Sequence, residues 1–296
     1  MADPHPIETA QAQWHITLRH TTGDEWVGPC PFCKDGNDRF HVWERGNYWC
    51  RVCEQKGFID GEGNHPLTPQ ELLEIRVRAL ERKQAEHERR LTALEQMARC
   101  RDHIAFHELM DDDDREYWHS QGLLDATIDK YLLGICYSCP LAPKFSSYTI
   151  PVINGGKLVN IRHRLVTTDS DRYRPHAPGL GATLFLADNV YQEEPQVMIV
   201  EGEKKALVTS QYGFNVVGTM GKAGFQPGWA PRFSKFERVL VAYDPDATEQ
   251  AIETARLFKG RGRVVEIPVK VDDLFTQYHG TPAQLQRFIE LARRVD

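Results

Sequence analysis

Four cysteines constrain this chain more than any other feature of its sequence. Cys30-Pro31-Phe32-Cys33 and Cys50-Arg51-Val52-Cys53 are two Cys-x-x-Cys units with sixteen residues between them. Two close pairs on either side of a hairpin-length insert deliver four thiolates to the corners of a tetrahedron, the arrangement of a structural zinc site. The insert reads as that hairpin, with Arg39 to Trp43 as one strand, a turn at Arg45-Gly46-Asn47, and Tyr48-Trp49 opening the other. Strand alternation puts Phe40 and Val42 on one face and Arg39, His41 and Trp43 on the other. A cation, an imidazole and an indole side by side suit stacking on unpaired bases. Trp43 and Trp49 equally fit the plainer role of covering a small core.

The remaining cysteines say less. The total of seven is odd, and Cys136-x-x-Cys139 is a lone pair. Cys100, His103 and His107 share helical spacing and could bind a second ion, although ordinary reduced thiols are the simpler reading. The start, Met1 to Pro6, has neither the basic residues nor the apolar core of a signal peptide. No apolar run approaches the ~20 residues that span a bilayer. The expectation is a cytoplasmic protein that uses cysteine for metal rather than for disulfides.

The chain has 296 residues and a formal net charge of −6, so nucleic acid could be held only by a local basic patch. Four segments are expected: 1–61 around the cysteines, a charged helical linker 62–114, a mixed segment 115–195, and an alternating strand–helix segment 196–296. The linker helix has a start signal, with Thr68 as N-cap, Pro69 at the first position and Glu71 as the reciprocal acid. It is predicted to run to about Met110 as an exposed connector laced by Glu74/Arg78, Glu86/Arg90 and Glu95/Arg99. Asp111 to Asp114 read as a solvated turn. In the mixed segment, Tyr148–Ile153 and Leu158–Ile161 read as strands joined at Asn154-Gly155-Gly156. Lys157, Arg162, Arg164, Arg172 and Arg174 make this the densest basic stretch, opposed only by Asp169 and Asp171. They suit phosphates, or else form a charged loop in solvent.

The last segment alternates Val197–Val200, Lys204–Tyr212, Val239–Tyr243, Thr248–Lys259, Val264–Val269 and a final helix. That pattern predicts a parallel sheet flanked by helices. Each strand runs into acids: Glu201 after the first, Asp244 and Asp246 after the second, Asp272 and Asp273 after the third. One acid after a strand is usually a helix cap. Three strands in succession place hard oxygen donors at the ends where α/β sheets bind ligands, and these donors suit Mg²⁺. Gly218-Thr219-Met220-Gly221-Lys222-Ala223 lacks the first glycine and the closing Ser/Thr of a phosphate loop, so no helicase motor is evident.

Taken in order, these segments resemble the DnaG-type primases of bacteria and phages. Gly28 to Cys33, Arg39-Phe40 and Tyr48 to Cys53 are similar to that family's zinc ribbon. Ser120-Gln121-Gly122-Leu123 to Gly134, and Tyr148 to Val152 through Asn160 to Arg164, resemble the segment ahead of its Toprim domain. Val200-Glu201-Gly202-Glu203-Lys204-Lys205, Asp244-Pro245-Asp246 and Asp272-Asp273-Leu274-Phe275 resemble the successive Toprim motifs. Three positions depart from the pattern: Lys205 stands where an acid is frequent, Glu249 where a glycine is common, and Cys33, as in phage members, where bacterial ones often have histidine.

The resemblance implies an α+β protein made of a zinc ribbon, a helical connector and a mixed α/β Toprim domain with a parallel sheet. It implies synthesis of short RNA, or DNA, primers from nucleoside triphosphates on single-stranded DNA, with a separate replicative helicase as partner. Asp244, Asp246 and Asp272 or Asp273 would hold Mg²⁺ or Mn²⁺, with Glu201 as base or further ligand. Arg39, His41, Trp43, Lys157, Arg162, Arg164, Arg172, Arg174, Lys204 and Lys222 would contact template or nucleotide. A Toprim nuclease would use the same acids to cleave. A non-catalytic zinc-dependent binding protein could dispense with them.

Overall fold

The computed structural model describes residues 5–59, 68–138, 146–166, 173–220 and 224–295. Two compact units divide it, Met1–Arg89 and Arg90–Asp296.

In the first unit, α1 (Pro6–Trp14) precedes five short strands: β1 (Arg19–His20), β2 (Glu25–Gly28), β3 (Phe40–Trp43), β4 (Asn47–Cys50) and β5 (Lys56–Phe58). They form one antiparallel sheet in sequence order, with the expected hairpin as its β3–β4 pair. The inward face carries Phe40, Val42, Tyr48 and Cys50, packed with Ile7, Ala10 and Phe32. Trp14 meets Phe32, Phe40 and Tyr48 edge-on at 5.1–5.5 Å, a favoured aromatic geometry. A core this small needs further support, and the four cysteines lie inside it.

Helix α2 (Pro69–Arg99) starts where the sequence says it should. The Thr68 hydroxyl accepts from Glu71 N, and the Glu71 carboxylate accepts from Thr68 N at 2.8 Å. Most of its length is exposed, and Met97 is its one buried residue. The predicted continuation to Met110 does not occur. The chain breaks at Cys100–Arg101 and resumes as α3 (Asp102–Glu108). The break follows the turn where Met97 joins Leu158, Ile161 and Leu180 in a small core, so burial overrides the helical pattern.

Asp111 is also more than a solvated turn. It caps α4 (Asp112–Ser120) in a reciprocal box with Asp114, which is buried and accepts from the Tyr137 hydroxyl. Helix α5 (Asp125–Lys130) follows, then an antiparallel sheet of β6 (Gly134–Cys136), β7 (Ser147–Asn154), β8 (Lys157–Leu165) and β9 (Tyr173–Pro175). The β7–β8 turn is the predicted one, and the Asp188 carboxylate accepts from the backbone N–H of both Gly155 and Gly156.

The second sheet has the order β11-β10-β12-β13-β14. Its members are β10 (Gln196–Glu201), β11 (Val216–Thr219), β12 (Arg238–Ala242), β13 (Gly262–Val264) and the antiparallel edge β14 (Arg293–Arg294). Helices α6 (Glu203–Gln211) and α7 (Thr248–Arg256) are its crossovers. Both faces are buried, as a parallel sheet requires. Met198, Val200, Leu240 and Ala242 pack on one side, and Val197, Ile199, Val239 and Val241 on the other. Each valine, isoleucine, leucine or methionine among them contributes about 1.5–3 kcal/mol of burial.

Strand β13 is shorter and earlier than the predicted Val264–Val269: its pairing with β12 ends at Val264. The predicted final helix is two, α8 (Val271–Thr276) and α9 (Pro282–Glu290), the second restarted by a Thr281/Gln284 capping box. Edge strands β11 and β14 were not anticipated. No helix among the described residues is long and apolar enough to cross a membrane.

Candidate functional site

The cysteine cluster is fully assembled. Cys30, Cys33, Cys50 and Cys53 are all buried, and their sulfurs lie within 4.8 Å of one another. The Cys30–Cys53 and Cys33–Cys50 sulfurs are 3.8 Å apart. A tetrahedron with Zn–S bonds of ~2.3 Å has edges of ~3.8 Å, so the donor set fits zinc in chemistry and in size. The backbone N–H of Val52 donates to Cys50 Sγ at 3.4 Å. Hydrogen bonds from the thiols of Cys30 and Cys53 pull Cys50 well below the ordinary thiol range. Cys30 is pushed up in return, chiefly by its hydrogen bond with Cys50.

The outward face of the ribbon differs from expectation at His41. That ring is 2% exposed, and its Nδ1 sits 2.8 Å from Glu25 Oε1. It lies beneath Trp43 and Trp49, at 6.1 and 5.7 Å between centroids. Burial beneath two indoles, with a carboxylate on Nδ1, prevents stacking on a ligand and makes His41 a buttress. Arg39 pairs with Asp38 at 3.3 Å. Trp49 and Phe58 are exposed, and pairing places Lys56 and Phe58 on the same face as Trp49. Sequence reasoning missed Lys56 and Phe58. Their alternation after the second cysteine pair was the available signal.

The acids lie at the carboxyl end of the parallel sheet. Glu201 closes β10 and is 9% exposed, and one of its oxygens accepts from Asp244 N at 3.1 Å just after β12. Burial pushes the Glu201 carboxyl up. Gly202, at φ 82°, turns the chain from strand into α6 in a conformation that suits glycine. A Cβ on Gly218 of β11 would meet the Gly202 carbonyl at 2.8 Å.

Two successive lysines of α6 then reach back to the acids. Lys205 Nζ is 3.1 Å from Asp244, and Lys204 Nζ is 2.6 Å from the fully buried Asp272 at the start of α8. Asp246 is exposed in the turn after Asp244, and the half-buried Asp273 accepts from Gln277 at 3.0 Å. The structure therefore brings Glu201 to Asp244, but among the described residues it gathers no three carboxylates within 4.8 Å. Fixed ammonium groups counter two of the charges instead. Asp244 Oδ1 and Asp272 Oδ1 are nevertheless buried without a hydrogen-bond partner. Hard oxygens with unused lone pairs suit Mg²⁺, so the residues fit that ion.

Opposite the acids is the basic hairpin. A cleft of 450 Å³ is lined by Glu201, Lys204 and Lys205 on one side and by Arg162, Arg164 and Gln121 on the other. Arg162 is 3.2 Å from Glu203. Arg164 lies over the Tyr117 ring and donates to the Tyr117 hydroxyl and to Gln121 at 3.1 Å. A second cavity of 360 Å³ adjoins through Arg162, Glu203 and Met220.

Arg174 is half-buried and donates to the Tyr173 carbonyl at 3.2 Å. Lys157 sits exposed at the hairpin turn, away from the cleft lining. Arg172, Lys222 and Cys139 lie outside the described residues, as do Asp169 and Asp171. The Cys100, His103, His107 set is dispersed. His107 bonds the Leu133 carbonyl and Asp129, and the buried His103 lines a separate cavity with Tyr131.

No family model matches the sequence, and no curated protein matches it. Solved structures do. The zinc-binding and RNA polymerase domains of the Aquifex aeolicus primase superpose with a TM-score of 0.56 at 18% identity, over 99% of this chain and 86% of that one. A DnaG primase catalytic domain bound to single-stranded DNA matches with a TM-score of 0.55 at 18% identity, over 70% of this chain and 83% of the other. The fold is that of the DnaG-type primases. That accounts for a ribbon and a parallel sheet in one chain.

Proposed function

We propose that this chain is a primase, a nucleotidyltransferase that starts short RNA, or DNA, strands on single-stranded DNA from nucleoside triphosphates. The observation that carries the reading is the cleft itself. Glu201, buried at the end of β10 and hydrogen-bonded to the backbone of Asp244 just after β12, shares with Arg162 and Arg164 a space large enough for a nucleotide. Arg162 and Arg164 would bind phosphates and hold the nucleotide in line. Glu201, with its carboxyl pushed up by burial, would accept the proton of the attacking 3′-hydroxyl. Asp244, Asp246 and Asp272 would hold Mg²⁺ or Mn²⁺, with Asp273 at the rim. When bound, such an ion neutralises the triphosphate and aligns the in-line displacement.

The ribbon, with zinc on its four cysteines, would read the template through Trp43, Trp49 and Phe58. The reduced thiols suit a cytoplasmic setting, and a separate helicase would supply the motor. Labelled nucleotides on a single-stranded template test this. Primers made de novo by the intact chain, and lost in Asp244→Asn, are expected. Template cleavage without synthesis would assign the acids to a nuclease, and binding alone would make the chain a non-catalytic binding protein.

A further inference from the structure

We infer that Cys100, Asp102 and His176 form a second metal site, independent of the ribbon and suited to zinc or another borderline divalent cation. Their ligand atoms lie within 4.8 Å of one another, although His176 is far from the other two in sequence. Cys100 occupies the break between α2 and α3, Asp102 opens α3, and His176 directly follows β9.

Three further features distinguish this group from a chance meeting of polar side chains. The first is a backbone bond to sulfur. Asp102 N–H donates to Cys100 Sγ at 3.5 Å, two residues on, as Val52 N–H donates to Cys50 Sγ at 3.4 Å in the ribbon. This donor opposes the burial that pushes the Cys100 thiol up, and the sulfur lies within reach of the two other ligands.

The second feature is the support behind His176. His176 Nδ1 lies 3.0 Å from His163 Nε2, and His163 Nδ1 lies 2.8 Å from the Ser147 hydroxyl. His163 and Ser147 are fully buried, and the two imidazole planes are 16° apart. Phe106 packs edge-on against both rings. The chain fixes the His176 ring and directs Nε2 at Asp102, 3.4 Å away. With Nε2 on a metal, a neutral His176 carries its proton on Nδ1 and donates it to His163 Nε2. His163 then donates from Nδ1 to the Ser147 oxygen, so both imidazole protons have an acceptor. Outer-shell support of this kind is a regular companion of metal-bound histidine.

The third feature is charge. One thiolate and one carboxylate balance a divalent ion, and the neutral imidazole completes three ligands. The Asp102 side chain is 53% exposed, which leaves a solvent side for a fourth ligand such as water. An ordinary His–Asp pair would account for His176 and Asp102. It would not account for a sulfur turned to meet them. A bound ion would staple the α2–α3 break to the end of the basic sheet.

The whole chain, stripped of metal, is titrated with zinc against a chromophoric chelator and separately with cobalt. Two equivalents of zinc are expected, falling to one in Cys100→Ser and in His176→Ala, with circular dichroism unchanged in Cys100→Ser. A distinct one-equivalent loss in Cys50→Ser would identify the ribbon site. With cobalt, thiolate charge-transfer absorption for the second equivalent should vanish in Cys100→Ser. A single equivalent that survives Cys100→Ser, or a second one that survives both variants, overturns the proposal. A single equivalent lost in Cys100→Ser but kept in Cys50→Ser would support this site and overturn the ribbon's.

Discussion

The chain contains two polar centres that solve the problem of crowded like charges in opposite ways. In the ribbon, four cysteines come from two tight turns of one small sheet and are packed among aromatic rings at metal spacing. At the acidic centre, the acids come from the ends of separate strands and a distant helix, and lysines of α6 pair with two of them. Thiols can share protons and sit in an apolar core, so their cluster assembles by packing. Carboxylates are charged at neutral pH and repel, so a fold that brings them near each other must counter them. The ribbon is thus built around its ligand set, whereas the acidic centre is built around counter-charges.

The largest test of this contrast is removal of one sulfur. Cys50→Ser should abolish ribbon zinc and unfold residues 5–59, because metal and folding are coupled there by ~10 kcal/mol or more. Limited proteolysis should cut the ribbon while leaving the second unit's melting transition in place. Loss of both transitions together would break the comparison.

Asp244→Asn should lower synthesis by at least about 100-fold. From sequence alone its effect on stability should be slight, since the acid sits at a strand end. The Lys205 contact changes that. Asparagine leaves a largely buried ammonium unpaired, so a loss of about 1–3 kcal/mol is expected in denaturant titration. A normal primer yield from this variant would remove Asp244 from the chemistry.

Lys205→Ala sharpens the same point. Freed of its competitor, Asp244 should bind Mn²⁺ on the order of tenfold more tightly, about 1.4 kcal/mol, in a spectroscopic titration. Unchanged affinity would mean that the lysine and the ion do not compete.

In the ribbon, Glu25→Ala should cost about 1–2 kcal/mol, because it orphans the buried His41 Nδ1. The hydrogen bond to His41 holds the Glu25 carboxyl below its usual range. Its contribution is therefore full above the ordinary carboxylate pKa and disappears as pH falls through the lowered value. The wild type and Glu25→Ala should converge in stability at acid pH.

The smallest expected effect is at Arg164, where Arg164→Ala should reduce the salt slope of single-stranded DNA binding by about one unit. An unchanged slope would make Arg164 a structural partner of Tyr117 and Gln121 only.

Features carried by local spacing were legible in the sequence. The ribbon hairpin, the Thr68 cap, the β7–β8 turn and the parallel strands ending at Glu201 and Asp244 all depend on residues close together in the chain. Features set by long-range packing were not. Nothing near His41 announces Glu25 across the sheet, and nothing near Lys204 announces Asp272. Cys100 points toward His103 by helical spacing, yet the break before α3 turns it toward His176.

The meeting of Gly202 and Gly218 bears on how such chains diverge. One glycine is required by its own backbone angle, and the other by the carbonyl of the first, only 2.8 Å from where a side chain would begin. Neither position offers a viable intermediate substitution, so the two should drift least while hydrophobic neighbours exchange freely. In genomes too distant for ordinary alignment, a glycine after a strand-ending glutamate, with a second one sixteen positions on, is a mark by which this architecture could still be found.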